Sequence, residues 1–137
     1  MPEVVANPWA LLICVVIRMA VGALWYSPVL FLKPWLRMSG VSDAQMKQGF
    51  AKALISDVVL SLIMAFVLLH AIRYALPTSR DVGLGLAVGF ANWLGFIVPV
   101  QWGSLTYEKR PFGYFAINAG YQLVTILAMA AVLVSMN

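Results

Sequence analysis

Four apolar stretches, each near the roughly 20 residues that a membrane-spanning helix needs, organise the chain. The first runs from about Trp9 to Ser27, the second from Ala53 to Tyr74, the third from Val82 to Thr106 and the fourth from Phe112 to Ser135. Asn7 followed by Pro8 marks the start of the first as an N-cap and a first-turn proline, and Pro28 ends it. Between the first two, Val29 to Gly40 mixes Phe31, Lys33, Trp35 and Arg37 in the manner of an interfacial segment. Ser42 and Gln45 then read as a capping box. No proline intervenes from there to Leu76, so one continuous helix is expected from about Asp43 until Pro77 stops it. The short Thr78 to Asp81 loop makes the second and third spans antiparallel neighbours. The third span carries Gly85 and Gly89 at GxxxG spacing, which permits close helix approach, and a kink is expected at Pro99.

Composition agrees with the pattern. Of 137 residues, 63% are apolar and 10% charged, against about 25% charged in a soluble domain. A chain this short leaves about a third of its surface exposed when folded, and 14 charges cannot cover that area in water. The chain is therefore read as one all-α transmembrane domain, a four-helix antiparallel bundle in the lipid bilayer of a plasma or inner membrane. A net charge of +4, spread along the chain, leaves no clustered basic face for nucleic acid. Before the first apolar run there is Glu3 and no basic residue, unlike the start of a cleavable signal peptide. The single cysteine, Cys14, excludes an intrachain disulfide. No metal or cofactor is expected.

Lys and Arg are asymmetric about the spans. Lys33, Arg37, Lys47, Lys52, Lys109 and Arg110 fall on the connections after spans one and three, and Arg73 and Arg80 on the other side. By the positive-inside tendency both termini are predicted outside the cytoplasm. Trp25, Tyr26, Ser27 and Pro28 at the end of span one, and Pro99, Trp102 and Tyr107 at the end of span three, read either as the trace of two repeated hairpins or as what any exit onto a basic side looks like.

Ionisable groups inside a span are costly unless paired or solvated. Arg18 lies about nine residues into the first helix, roughly 14 Å deep, and Asp57 is the only acid within a span. Pairing the two satisfies both. It leaves open whether the pair fixes packing or serves a substrate. Asn92 and Gln122 fall near the same depth as Arg18, with Asn118 one turn before Gln122. They read as helix-packing glue, worth about 1 kcal/mol each, or as a polar layer that holds an anionic ligand at Arg18. His70 is about 20 Å and 140° from Asp57 on an ideal helix, so no dyad forms and it reads as an interfacial side chain without a role. No acid, base and nucleophile converge, and no catalytic residue is assigned.

Gly22-Ala23-Leu24-Trp25-Tyr26-Ser27-Pro28 with Lys33-Pro34-Trp35, and Glu108-Lys109-Arg110-Pro111 with Phe115, Ile117, Asn118, Ala119, Gly120 and Tyr121, resemble the two motifs of a bacterial membrane family known as domain of unknown function 1761. The resemblance implies four membrane helices and no particular activity. It adds Trp25, Tyr26, Ser27, Pro28, Glu108 and Tyr121 to the candidate site; by depth, Glu108 is expected to reach toward Lys33 or the end of the first helix in a gate-like charge cluster. The first functional expectation is an accessory subunit, with its Gly85 and Gly89 face covered by a membrane partner. The alternative is a homo-oligomeric binder or transporter of a small ligand near Arg18.

Overall fold

The computed structural model describes residues 3–137. Helix α1, Pro8–Trp25, opens with the Asn7 side chain accepting the Trp9 amide at 3.0 Å. It stops two residues short of the expected Ser27, because the residue before a proline disfavours the helical conformation. The Ser27 hydroxyl instead donates to the Leu24 carbonyl at 2.6 Å, and the chain doubles back through a Phe31 amide bond to the Trp25 carbonyl at 3.1 Å. The interfacial segment forms helix α2, Leu32–Ser39, closed by Gly40 in the left-handed region at φ 75°.

Both halves of the Ser42/Gln45 capping box form at the start of helix α3, Asp43–Gln48. The expected continuous helix is interrupted at Gly49, which leaves the helical region with φ −93° and ψ 5°. Glycine has the most backbone freedom to lose in a helix, so the break falls there. Helix α4, Phe50–Ala75, follows and is long and apolar enough to cross a membrane.

Asp81 caps the third span by accepting the Leu84 amide at 2.9 Å. That span is helix α5, Val82–Asn92, one π-helical turn from Trp93 to Ile97, and helix α6, Val98–Thr106. The expected break at Pro99 is thus realised as a widened turn before it. Proline has no amide hydrogen to donate, and a π turn is one way a helix accommodates such a lost bond. Helix α7, Phe112–Met136, completes the bundle. Among the described residues there are no strands, and four spans are long and apolar enough to cross a membrane.

Helix α7 is the hub, packing against α1, α4 and the third span. The apolar core lies toward the end of the bundle that carries both termini, where Cys14, Leu69, Ile72, Met129, Leu133 and Val134 are fully buried. That end is tied by the Asn7 amide donating to Asn137 Oδ1 at 2.8 Å. Arg73 closes it further, its guanidinium donating to the carbonyls of Leu76, Ser79 and Val134 at 3.0–3.2 Å. At the opposite, basic end the bundle is looser. No residue of α4 from Phe50 to Leu60 is buried, so this part of the helix packs more loosely than the rest.

Gly85 and Gly89 face α7 of the same chain. A Cβ on Gly85 would lie 2.6 Å from Val134 Cγ1, and one on Gly89 3.0 Å from the Ala130 Cβ. The small-residue face expected to await a partner is therefore already covered internally, by α7.

Candidate functional site

Arg18 is buried where α1 crosses α7. Its Nη1 donates to Gln122 Oε1 at 2.7 Å and to Thr125 Oγ1 at 3.3 Å, and its guanidinium carbon lies 5.0 Å from the centre of the Tyr121 ring. The Tyr121 hydroxyl returns a bond to the Arg18 backbone carbonyl at 3.0 Å. Tyr121, Gln122 and Thr125 share one face of α7, since residues three and four apart are neighbours on a helix. Thr125 can accept from Arg18 because its own hydroxyl hydrogen turns back onto the Tyr121 carbonyl at 2.9 Å.

The expected Arg18 to Asp57 pair does not form. Asp57 sits on the exposed half of α4, about a turn below the level at which that helix joins the bundle. The only ion pair among the described residues is Lys47 with Asp43, one turn apart on α3. Arg18 therefore carries its charge with neutral oxygens and a tyrosine ring around it. Its Nε is buried without a partner.

Asn92 also departs from the expected polar layer. Its amide donates to the Val88 carbonyl at 2.8 Å within α5, and it meets Arg18 only across a cavity. This cavity, of about 570 Å³, is a groove between α4 and the third span. Arg18 and Asn92 supply its polar surface, and Leu60, Ile63, Val67 and Phe96 its mouth. Those four apolar side chains are exposed at the bundle surface. The groove thus runs from a hydrocarbon-facing opening to a buried guanidinium.

The motif residues near the basic end build an aromatic cluster that joins the Arg18 site through Tyr121. Tyr26 donates to Asn118 Oδ1 at 2.7 Å and packs edge-on to Tyr121 and Trp35, and Trp35 stacks on Tyr114. The Trp25 indole donates to the Ile117 carbonyl at 2.9 Å. The ring fits because Gly120 lies beneath it, where a Cβ would come within 3.2 Å of Trp25. Ser27 serves its own turn and Pro28 is exposed. Glu108 makes no ion pair with Lys33, against expectation, because α6 ends in a turn that folds Glu108 toward α7. It faces a second, smaller cavity shared with Asn118. His70 packs between Phe66 and Tyr74 with Nδ1 2.8 Å from the Phe66 carbonyl.

Each motif thus couples α1 to α7, with Trp25 and Tyr26 on one side and Ile117, Asn118, Gly120 and Tyr121 on the other. The family profile described as "Protein of unknown function (DUF1761)" matches residues 9–134, nearly the whole of this unit. The chain belongs to the DUF1761 family. No curated protein and no solved structure matches it. In this DUF1761 protein, sequence reasoning missed Thr125, whose signal was its position one turn after Tyr121. It also missed Trp93, whose indole anchors the π turn by donating to the Ala119 carbonyl at 2.8 Å.

Proposed function

We propose that this protein binds an amphiphile whose hydrocarbon part occupies the groove between α4 and the third span and whose anionic head is neutralised by Arg18. The observation that carries the reading is a buried guanidinium that lines an apolar groove with no carboxylate partner among the described residues. Arginine stays protonated in proteins, and an unneutralised charge at mid-bilayer depth is expensive. An anion entering the groove would remove that cost. A volume of about 570 Å³ falls within the range of small-molecule sites, about 300–1,000 Å³.

Native mass spectrometry of the protein in lipid nanodiscs doped with a long-chain fatty acid tests this. The expected result is a retained fatty acid that is lost in Arg18→Gln and in Leu60→Trp, which fills the mouth. A folded Arg18→Gln variant that retains all fatty-acid binding overturns it.

A second reading, an accessory subunit with a membrane partner, is favoured by Asp57, which lies on the exposed half of α4. A partner helix with a basic residue at that depth would satisfy it. Mass measured by light scattering in mild detergent, for the native chain and Asp57→Asn, tests this. A monomer in both cases counts against it. We also place the basic end in the cytoplasm of the cell, on the count of Lys and Arg.

A further inference from the structure

The smaller cavity, about 250 Å³, lies between the end of α6 and the start of α7 and is separate from the Arg18 groove. Gln101, Ser104, Glu108, Tyr114 and Asn118 line it. Gln101 and Ser104 are three residues apart and share a helix face. Ser104 is only 8% exposed, and both its Oγ and Gln101 Oε1 are enclosed without a hydrogen-bond partner. Buried oxygens in a folded protein nearly always have a donor, because leaving them bare costs the full loss of hydration. Here two lie together and open onto the same space.

A third oxygen group is brought there by an unusual turn. The Glu108 amide donates to the Gly103 carbonyl at 3.2 Å and the Arg110 amide to the Ser104 carbonyl at 2.8 Å. Between them Lys109 is held at φ 56°, a conformation that a residue with a side chain adopts at a cost of about 1 kcal/mol or more. The turn sets the Glu108 side chain at the cavity. Neither Lys109 nor Arg110 pairs with Glu108, and Arg110 is directed elsewhere. It donates to the Met38 carbonyl at 3.3 Å and lies 5.9 Å from the Tyr114 ring centre. Asn118 has its carbonyl oxygen taken by Tyr26.

One carboxylate and two donor-starved neutral oxygens, walled by a tyrosine, call for a small cation rich in N–H groups. We propose that this cavity binds a primary ammonium group, which offers three donors and one positive charge. It sits where two spans meet their connecting turn, the level of lipid headgroups. The ammonium can therefore come from an aminophospholipid headgroup or from a free amine.

The test is calorimetric titration of ethanolamine hydrochloride into the full chain in maltoside detergent, with sodium chloride at equal ionic strength as reference. Saturable heat is expected, weakened at least tenfold in Glu108→Gln and in Ser104→Ala and unchanged in Arg80→Gln, an exposed residue at the opposite end of the bundle. Circular dichroism and the thermal midpoint report whether each variant is folded. Ser104→Ala, a small change in mid-helix, carries the test if Glu108→Gln does not fold. Repeating the titration in nanodiscs separates the sources. If phosphatidylethanolamine occupies the site, ethanolamine heat is lost in nanodiscs that contain it and kept in phosphatidylcholine alone. If a free amine is the ligand, both give the same heat. Absence of saturable heat in detergent, equal binding by folded Glu108→Gln and Ser104→Ala, or the same heat from sodium overturns the proposal.

Discussion

Replacing Gly85 with alanine adds one methyl group where it would press directly on α7. The added Cβ would stand 2.6 Å from Val134 Cγ1, 2.8 Å from its Cβ and 3.2 Å from its Cγ2. Carbon atoms prefer about 3.5–4.0 Å, so α5 and α7 must part by roughly 1 Å. Val134 cannot turn aside. It is fully buried, and a β-branched side chain in a helix has one strongly preferred rotamer. Overpacking of this kind costs about 1–3 kcal/mol, while alanine gains about 0.5–1 kcal/mol over glycine within a helix. At mid-range values the net expectation is a loss of about 1 kcal/mol. Unfolding by sodium dodecyl sulfate titration, followed by circular dichroism, reads it. Val134→Ala added to Gly85→Ala should recover part of the loss. Gly95→Ala, which meets nothing within 4 Å, is the control and should be neutral or stabilising. A Gly85→Ala protein as stable as the native chain would refute the close packing of α5 on α7.

In the Arg18 cluster, Gln122→Leu removes the shorter of two charge-assisted bonds and should cost about 1.5–3 kcal/mol in the same assay. Thr125→Val, which removes the longer one, should cost less. Gly40→Ala forces a Cβ into the left-handed region, for about 1–2 kcal/mol, and crowds Arg110 Nη1 at 3.0 Å. It should lower the unfolding midpoint more than Gly49→Ala does. Cys14, fully buried, should resist maleimide in the folded protein and react at full stoichiometry after denaturation. Equal labelling rates in both states would place α1 wrongly. Single cysteines at Lys109 and Arg80 in a Cys14→Ala background should label from opposite sides of the membrane, with Arg80 the externally accessible one.

Apolar length and turn residues made the spans legible, because in lipid a spanning segment must satisfy its own backbone and so advertises itself as one long helix. The 82–106 span agrees with the structure at both ends. The breaks were less legible. Gly49 and the π turn at Trp93–Ile97 depend on where the neighbouring helices sit, which no local pattern encodes. The same limit explains the site. Depth placed Arg18 near Gln122 correctly, and opposite charge suggested Asp57. Yet depth says nothing of how closely two helices pack, and the first part of α4 is exposed, so Asp57 makes no ion pair with Arg18. Ser104 and Gln101 were invisible for another reason. A lone serine or glutamine in an apolar helix is ordinary, and only the cavity beside them shows that their oxygens lack donors.

The groove between α4 and the third span is lined at the bundle surface by the exposed Leu60, Ile63, Val67 and Phe96, so in a bilayer it would open sideways onto acyl chains rather than onto water. Occupancy of such a site follows the mole fraction of ligand dissolved in the bilayer, not its aqueous concentration. Two ligands with the same head but different chain lengths would differ greatly in apparent affinity when measured per volume of buffer, through their partitioning at about 0.8 kcal/mol for each CH₂. Measured per lipid, that difference would shrink to what the groove itself distinguishes.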